Sequence, residues 1–166
     1  NHAAKMRFMS GGQFTVPLII RTVTGGGSGL AATHSQSLEG WYASVPGLKV
    51  VVPSTPYDAL GLLRTAFLDY NPVIFVEHAL LYKTKGEVPE EFYALPFGQA
   101  AVRRKGRDLT IVAFGQMVNV ALEVAERYAK RGREVDVIDL RTLSPLDIPT
   151  VIESTKKTGR VVVLDE

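Results

Sequence analysis

The sequence predicts an α/β fold built from two parallel-sheet units with helices on both faces. Three observations carry this. Short, β-branched apolar runs recur at residues 16–21, 48–52, 73–76, 109–114, 135–140 and 160–164. Stretches with helix-start and helix-stop signals lie between most of them. The rhythm breaks once, over residues 78–107, where prolines and charges gather. Continuous apolar runs suit strands buried on both faces, and strands alternating with helices give parallel sheets.

Residues 2–10 read as the closing turns of a helix. Ala3, Ala4, Met6 and Arg7 are good helix formers, and Gly11-Gly12 is a natural stop. No capping residue precedes it, so its start is expected upstream of Asn1. After the strand over 16–21 comes a loop over 24–32 containing Gly25-Gly26-Gly27-Ser28-Gly29. A short helix over 35–43, capped by Ser35, leads to the strand over 48–52. Thr55-Pro56-Tyr57-Asp58 then opens a helix: Thr55 caps, Pro56 takes the first position, and Asp58 sits in the favourable first turn. This helix runs to about Leu68 with Leu60, Leu63 and Phe67 as its apolar face. Asn71-Pro72 ends the connection to the strand over 73–76.

The first unit is bounded at residues 1–84 and the second at 108–166, with 85–107 as a connector. In the second unit Val118, Ala121, Leu122, Ala125, Tyr128 and Ala129 mark one face of a helix that stops at Gly132. Ser144-Pro145-Leu146-Asp147 opens a further helix in the manner of Thr55-Pro56. Each unit looks incomplete, the first lacking its beginning and the second its end. The terminal strand over 160–164 is expected to need a partner from sequence beyond the chain.

Composition narrows the classes. Hydrophobic residues are 46% and charged residues 22%, the profile of a folded chain with a core. The net charge of +2 argues against nucleic acid, and Arg103-Arg104-Lys105 with Arg107 reads as a solvated turn. No apolar run approaches the roughly 20 residues that span a bilayer. Cysteine is absent, which removes disulfides and thiol chemistry and suits a reducing compartment.

The glycine loop follows a parallel strand, where α/β folds bind ligands. It has no Lys for a P-loop, and Thr33-His34 stands where a dinucleotide fingerprint needs its helix and third glycine. Flexibility alone also explains such a loop. His34 closes it, just ahead of the helix over 35–43, whose N–H groups favour a neutral imidazole able to exchange a proton near pH 7. From spacing alone, a histidine hydrogen-bonded in a loop is the competing reading. His2 and His78 are weaker candidates, and no zinc spacing occurs. Glu39 and Glu77 are carboxylates without a partner that the sequence identifies; Glu39 reads as a helix-face residue. The helix ending near Leu68 offers free carbonyls beside Asp69 and Asn71, either a hard-cation site or a plain helix exit.

Five segments, in order, carry a resemblance. They are Ala3-Ala4-Lys5-Met6-Arg7-Phe8-Met9-Ser10-Gly11-Gly12, Thr33-His34-Ser35-Gln36-Ser37-Leu38-Glu39, Val45-Pro46-Gly47-Leu48-Lys49-Val50-Val51-Val52-Pro53-Ser54, Leu80-Leu81-Tyr82 and Asp139-Leu140-Arg141-Thr142-Leu143-Ser144-Pro145-Leu146-Asp147. Over essentially its whole length the chain resembles the β subunits of the E1 component of pyruvate, branched-chain 2-oxo acid or acetoin dehydrogenase complexes. The resemblance implies part of a pyrimidine-binding domain followed by part of a transketolase C-terminal domain. It implies thiamine diphosphate with Mg²⁺, held mainly by an E1 α subunit in an α2β2 heterotetramer, and oxidative decarboxylation of a 2-oxo acid, pyruvate first, with acyl transfer to the lipoyl group of E2. His34 matches the active-site histidine of that family. Leu18, Ala66, Phe67, Asp69 and Asn71 match a monovalent-cation site that would take K⁺. The cofactor-activating glutamate is expected upstream of residue 1, so no cofactor-binding residue is assigned within the chain. The fragment alone is expected to be inactive. A bacterial or archaeal cytoplasm, a mitochondrial matrix or a plastid would suit such a subunit. An acetoin dehydrogenase β subunit and a non-catalytic α/β fragment are the alternative readings.

Overall fold

The computed structural model describes residues 1–166. The chain opens on α1 (His2–Met9), closed by Gly11 and Gly12 at φ +59° and +87°. Next come β1 (Ile19–Thr24), a 3-10 turn over Ala32–His34, α2 (Glu39–Ala43), β2 (Lys49–Val51), α3 (Pro56–Leu68) and β3 (Val73–His78). A second 3-10 turn, Ala79–Lys83, leads into β4 (Ala101–Arg104), β5 (Leu109–Ala113), α4 (Met117–Ala129), β6 (Val135–Asp139), β7 (Thr142–Ser144), α5 (Ile148–Thr158) and β8 (Val161–Val163). β1 begins later than the apolar run because Pro17 has no N–H to give a ladder. Both β1 and β3 run on past their apolar residues to Thr24 and His78, which carries polar side chains to the sheet's carboxyl edge.

The strands form two sheets, ordered β1-β3-β2-β7 and β4-β6-β5-β8. In the first, β1, β3 and β2 are parallel and β7 pairs antiparallel with β2, Val50 opposite Ser144. In the second, β6, β5 and β8 are parallel and β4 pairs antiparallel with β6. Each expected parallel-sheet unit is present and carries one antiparallel strand at its edge. The antiparallel strands come from places without a strand signal. β4 lies within the segment read as a connector. β7 follows the sharp turn at Arg141, a non-glycine residue at φ +60°, and crosses from the second unit to edge the first sheet. The terminal strand β8 pairs within the chain, Val161–Val163 beside Thr110–Val112.

Helices cover both faces. On the first sheet, Leu62 and Ala66 of α3 pack on Val51, Val73 and Phe75, while Val50, Val52, Ile74 and Val76 face Tyr42, Phe114 and Leu143. On the second, Val118, Ala121 and Ala125 of α4 pack on Ile111, Ala113, Val135 and Val137, and Val151 of α5 meets the cluster of Val112, Ile138 and Leu140 on the opposite face. The buried face of α3 is not the expected Leu60–Leu63–Phe67 stripe, and Phe67 is 73% exposed. The segment before β4 explains the rotation. A Cβ on Gly61 would meet Leu95 and Tyr93 at 2.7 Å, so this segment lies directly over the helix. Thr55 caps α3 as expected, accepting the Asp58 N–H at 3.1 Å. α5 starts later than expected. Asp147 caps it, accepting the Thr150 N–H at 3.1 Å, and Pro149 occupies the first turn. Ser144-Pro145 instead ends β7.

A buried ionic network ties the two sheets together. The Arg103 guanidinium of β4 donates to Asp139 at the end of β6, from Nε at 3.0 Å and Nη2 at 2.7 Å. Its Nη2 also reaches Asp58 in the first turn of α3. Ser54 donates its hydroxyl to Asp139, and Arg141 Nη2 stands 2.7 Å from Asp58 Oδ1 as an ion pair without hydrogen-bond alignment.

Candidate functional site

At the carboxyl ends of β1 and β3 a cleft of about 410 Å³ opens between strand ends, glycine loop and α2. Thr22, Thr24, Ser28, His34, Gln36 and Glu39 supply polar groups to its wall. A volume of this order suits a small organic ligand. The location is the one that parallel sheets reserve for ligands.

His34 lines this cleft from the end of the 3-10 turn, where its backbone N–H donates to Ala31 at 3.2 Å. It does not precede a helix directly. α2 starts only at Glu39, behind Leu38, so the expected effect of helix N–H groups on the imidazole does not apply. The reason is local. The Gln36 carbonyl accepts the Gly25 N–H and the Thr24 hydroxyl, both at 3.3 Å, which pins residues 35–38 against the end of β1 in an irregular path. Ser35 thus caps nothing.

Glu39 departs from its expected role as a surface helix residue. It is 6% exposed, and its Oε1 accepts the Thr24 hydroxyl at 2.5 Å. A carboxylate and an imidazole therefore both line the cleft. Glu77 pairs elsewhere: Arg21 donates to it from Nε at 2.9 Å and Nη2 at 2.7 Å, and the Tyr82 hydroxyl donates at 2.9 Å. Burial, and then the bond to Glu77, push the Tyr82 hydroxyl above its ordinary pKa.

The glycine loop is held from two sides. Gly25 stands at φ +88° against the His78 ring, where a Cβ would lie 2.0 Å from Nε2. Glu166 reaches over from the end of β8. Its Oε1 accepts the Gly26 N–H at 2.9 Å and its Oε2 lies 2.6 Å from His78 Nε2. The His78 hydrogen bond, the largest effect, together with the Gly26 N–H holds the Glu166 carboxyl below its ordinary value, although burial pushes it up. His78 is a weaker candidate in the sequence and Glu166 carries no signal there; what marks them is position, His78 at the end of β3 and Glu166 three residues past β8.

The residues expected to hold a cation come together at the exit of α3. Asp69 ends the helix in extended conformation, its N–H donating to Ala66 at 3.3 Å, and the Leu18 carbonyl accepts Val73 at 2.8 Å. The carbonyls of Phe67, Asp69 and Asn71 accept no backbone N–H. The Asp69 carboxylate is already engaged, by Lys49 on Oδ2 and by Asn71 N–H groups at 2.8 and 2.9 Å on Oδ1. Burial pushes this carboxyl up, but Lys49 and Asn71 outweigh it and keep it below its ordinary value. With its one carboxylate neutralised, the donor set is carbonyl oxygen, the chemistry of a weakly charged cation. Nowhere do three or more His, Asp or Glu side chains gather to hold a metal ion.

Comparison with known proteins places these features. Residues 1–85 match the transketolase pyrimidine binding domain and residues 98–166 the transketolase C-terminal domain. A solved structure described as a split gene transketolase, an inactive beta4 tetramer, superposes with TM-score 0.72 at 28% identity, covering 99% of this chain and 54% of that one. The chain belongs to the transketolase family. Within it, the chain is similar to β subunits of E1-type enzymes. It is 55% identical to the β subunit of acetoin:2,6-dichlorophenolindophenol oxidoreductase of Cupriavidus necator, over 100% of this chain and 49% of that protein. It is 51% identical to the pyruvate dehydrogenase E1 β subunit of Bacillus subtilis, over 98% and 50%. The 2-oxoisovalerate dehydrogenase β subunit of Bacillus subtilis is 47% identical, over 100% and 51%. The chain thus spans about half the length of these relatives.

Proposed function

We propose that this chain is part of the β subunit of an E1 component that decarboxylates a 2-oxo acid, pyruvate first, and passes the acyl group to the lipoyl group of an E2 acyltransferase. The observation that carries the reading is the placement of His34 on the wall of the cleft at the carboxyl edge of a transketolase-type pyrimidine-binding sheet. An E1 α subunit completes the site in an α2β2 assembly and holds most of the thiamine diphosphate and its Mg²⁺. The cleft is of a size and polarity that fit the part of the cofactor a β subunit faces. When bound, the cofactor supplies the nucleophilic carbon that attacks the 2-oxo group.

His34 holds or gives a proton at its imidazole nitrogen where the substrate's oxygen gains charge. Glu39 and Thr24 line the same cleft. K⁺ is held by the carbonyls of Leu18, Ala66, Phe67, Asp69 and Asn71, steadying the exit of α3 beneath β1. No helix is long and apolar enough to cross a membrane, and the bacterial relatives favour a bacterial cytoplasm as the place of action.

The test is His34→Ala in the full-length protein paired with its α subunit. General acid–base groups contribute about 10²–10⁴-fold, and turnover is expected to fall by that factor. Unchanged turnover and unchanged acylation of lipoyl-E2 would remove His34 from the chemistry. A second reading, an acetoin dehydrogenase β subunit, is favoured by the 55% identity to the Cupriavidus protein. Comparing kcat/KM for acetoin and pyruvate on one preparation decides between them.

A further inference from the structure

We propose that Glu166 is a positioning residue, a carboxylate delivered by the C-terminal unit that clamps the glycine loop of the pyrimidine-binding unit and so fixes where His34 stands. The hydrogen bonds define the clamp. His78 Nδ1 accepts the Leu80 N–H at 3.2 Å, so this nitrogen carries a lone pair. The ring proton is therefore assigned to Nε2, which donates to Glu166 Oε2 at 2.6 Å. The other carboxylate oxygen accepts the Gly26 N–H at 2.9 Å. Both oxygens are used, each by one donor, and the carboxylate comes from the far unit.

The geometry leaves little freedom for substitutes. His78 is 4% exposed and Gly25 lies flat against its ring, with no room for a Cβ. The loop is thus sandwiched between ring and carboxylate. Gly25 also donates to the Gln36 carbonyl, which links the clamp to the segment just after His34. A glutamine at 166 has one acceptor oxygen and one donor nitrogen. The nitrogen would oppose either the Gly26 N–H or the His78 Nε2–H. His78 cannot adapt by changing tautomer, because Nδ1–H would then oppose the Leu80 N–H. One of the two bonds must therefore be lost. Glu166 does not line the cleft, and it acts through the loop. The catalytic half of this proposal rests on the E1 reading; the structural half does not.

The experiment uses the full-length protein in complex with its α subunit. Amide hydrogen exchange is followed by mass spectrometry in peptides covering residues 25–34, with β5 and β6 peptides as internal reference. Glu166→Gln is expected to speed exchange in the loop by about tenfold and leave β5 and β6 as they were. In the same variant kcat falls about tenfold or more while KM for the substrate shifts less than kcat does, because orientation and not binding is lost. His78→Leu behaves as Glu166→Gln. His78→Gln presents an Nε2–H group near the imidazole Nε2 position and restores loop protection, a rescue that bulk packing does not predict. Loop exchange unchanged in Glu166→Gln overturns the clamp. Faster loop exchange with unchanged kcat overturns its role in catalysis. If Glu166→Gln does not assemble, the His78 pair decides alone: equal protection in His78→Leu and His78→Gln overturns the proposal. Should the wild-type complex turn over neither 2-oxo acids nor acetoin, the E1 reading fails, while the exchange comparison still judges the clamp.

Discussion

Replacing Arg103 by Met tests how the two sheets are joined. Its guanidinium lies between Asp58 and Asp139, both 0% exposed. Without it, Asp139 keeps the Ser54 hydroxyl and the Arg141 backbone N–H at 3.0 Å but has no hydrogen-bonded cation. Asp58 keeps the Thr55 hydroxyl at 2.7 Å and the Arg141 ion pair. Both buried carboxylates thus lose their hydrogen-bonded cation, and Asp58 alone keeps a second cation as an ion pair. Breaking a buried pair by removing one partner costs about 3–5 kcal/mol. The Arg103 side chain is 19% exposed, so water reaches part of the gap. The expected loss is therefore at the low end, about 3 kcal/mol. Adding Asp139→Asn removes the stranded charge and returns about 1–2 kcal/mol, so the two substitutions do not add. Urea unfolding of the full-length protein, followed by circular dichroism at constant m-value, measures both variants. A loss below about 1 kcal/mol for Arg103→Met, or an additive double variant, would mean that water solvates these carboxylates and that the network does not hold the sheets together.

Gly25→Ala places a methyl group 2.0 Å from His78 Nε2 at φ +88°, so the loop must move. A displacement near 1 Å costs about 10²-fold in turnover, and steady-state kinetics on the assembled enzyme should show it with far-ultraviolet circular dichroism unchanged. Asp136 gives the pH test. Burial raises its carboxyl, but hydrogen bonds from Lys157, Ser154 and Gly106 outweigh this and hold it below 3.8. A depressed carboxyl contributes stability above its unfolded pKa and loses it as pH falls through the folded value. Wild-type stability should therefore drop more steeply than that of Asp136→Asn as pH falls below about 4, read as unfolding midpoints.

Much of the fold was legible because local signals and tertiary structure agree. The apolar runs 73–76, 109–114 and 135–140 became β3, β5 and β6, and the Thr55 cap with Pro56 fixed the start of α3. The misses share a cause: long-range partners decide them. β4 and β7 are short, and only the edge each joins makes it a strand. The face of α3 depends on Leu95 and Tyr93, more than 30 residues beyond the Gly61 they cover. Within the candidate site, His34 and the glycine loop could be read from their neighbours in sequence. Glu39 could not, because its hydrogen-bond donor is Thr24, fifteen residues away, and Glu166 could not, because its donors are His78 and Gly26. The free carbonyls at the exit of α3 follow from the helix end itself, but that Lys49 and Asn71 engage Asp69 there does not.

The crossing of β7 sets a limit on how this molecule can be cut. A gene divided in the segment before β4 would send β2 into one polypeptide and its antiparallel neighbour into the other. The first product would present Val50 and Val51, both 0% exposed in the whole chain, on a naked strand edge. Such an edge recruits whatever strand it meets. The halves should therefore precipitate when expressed singly and stay in solution when produced together.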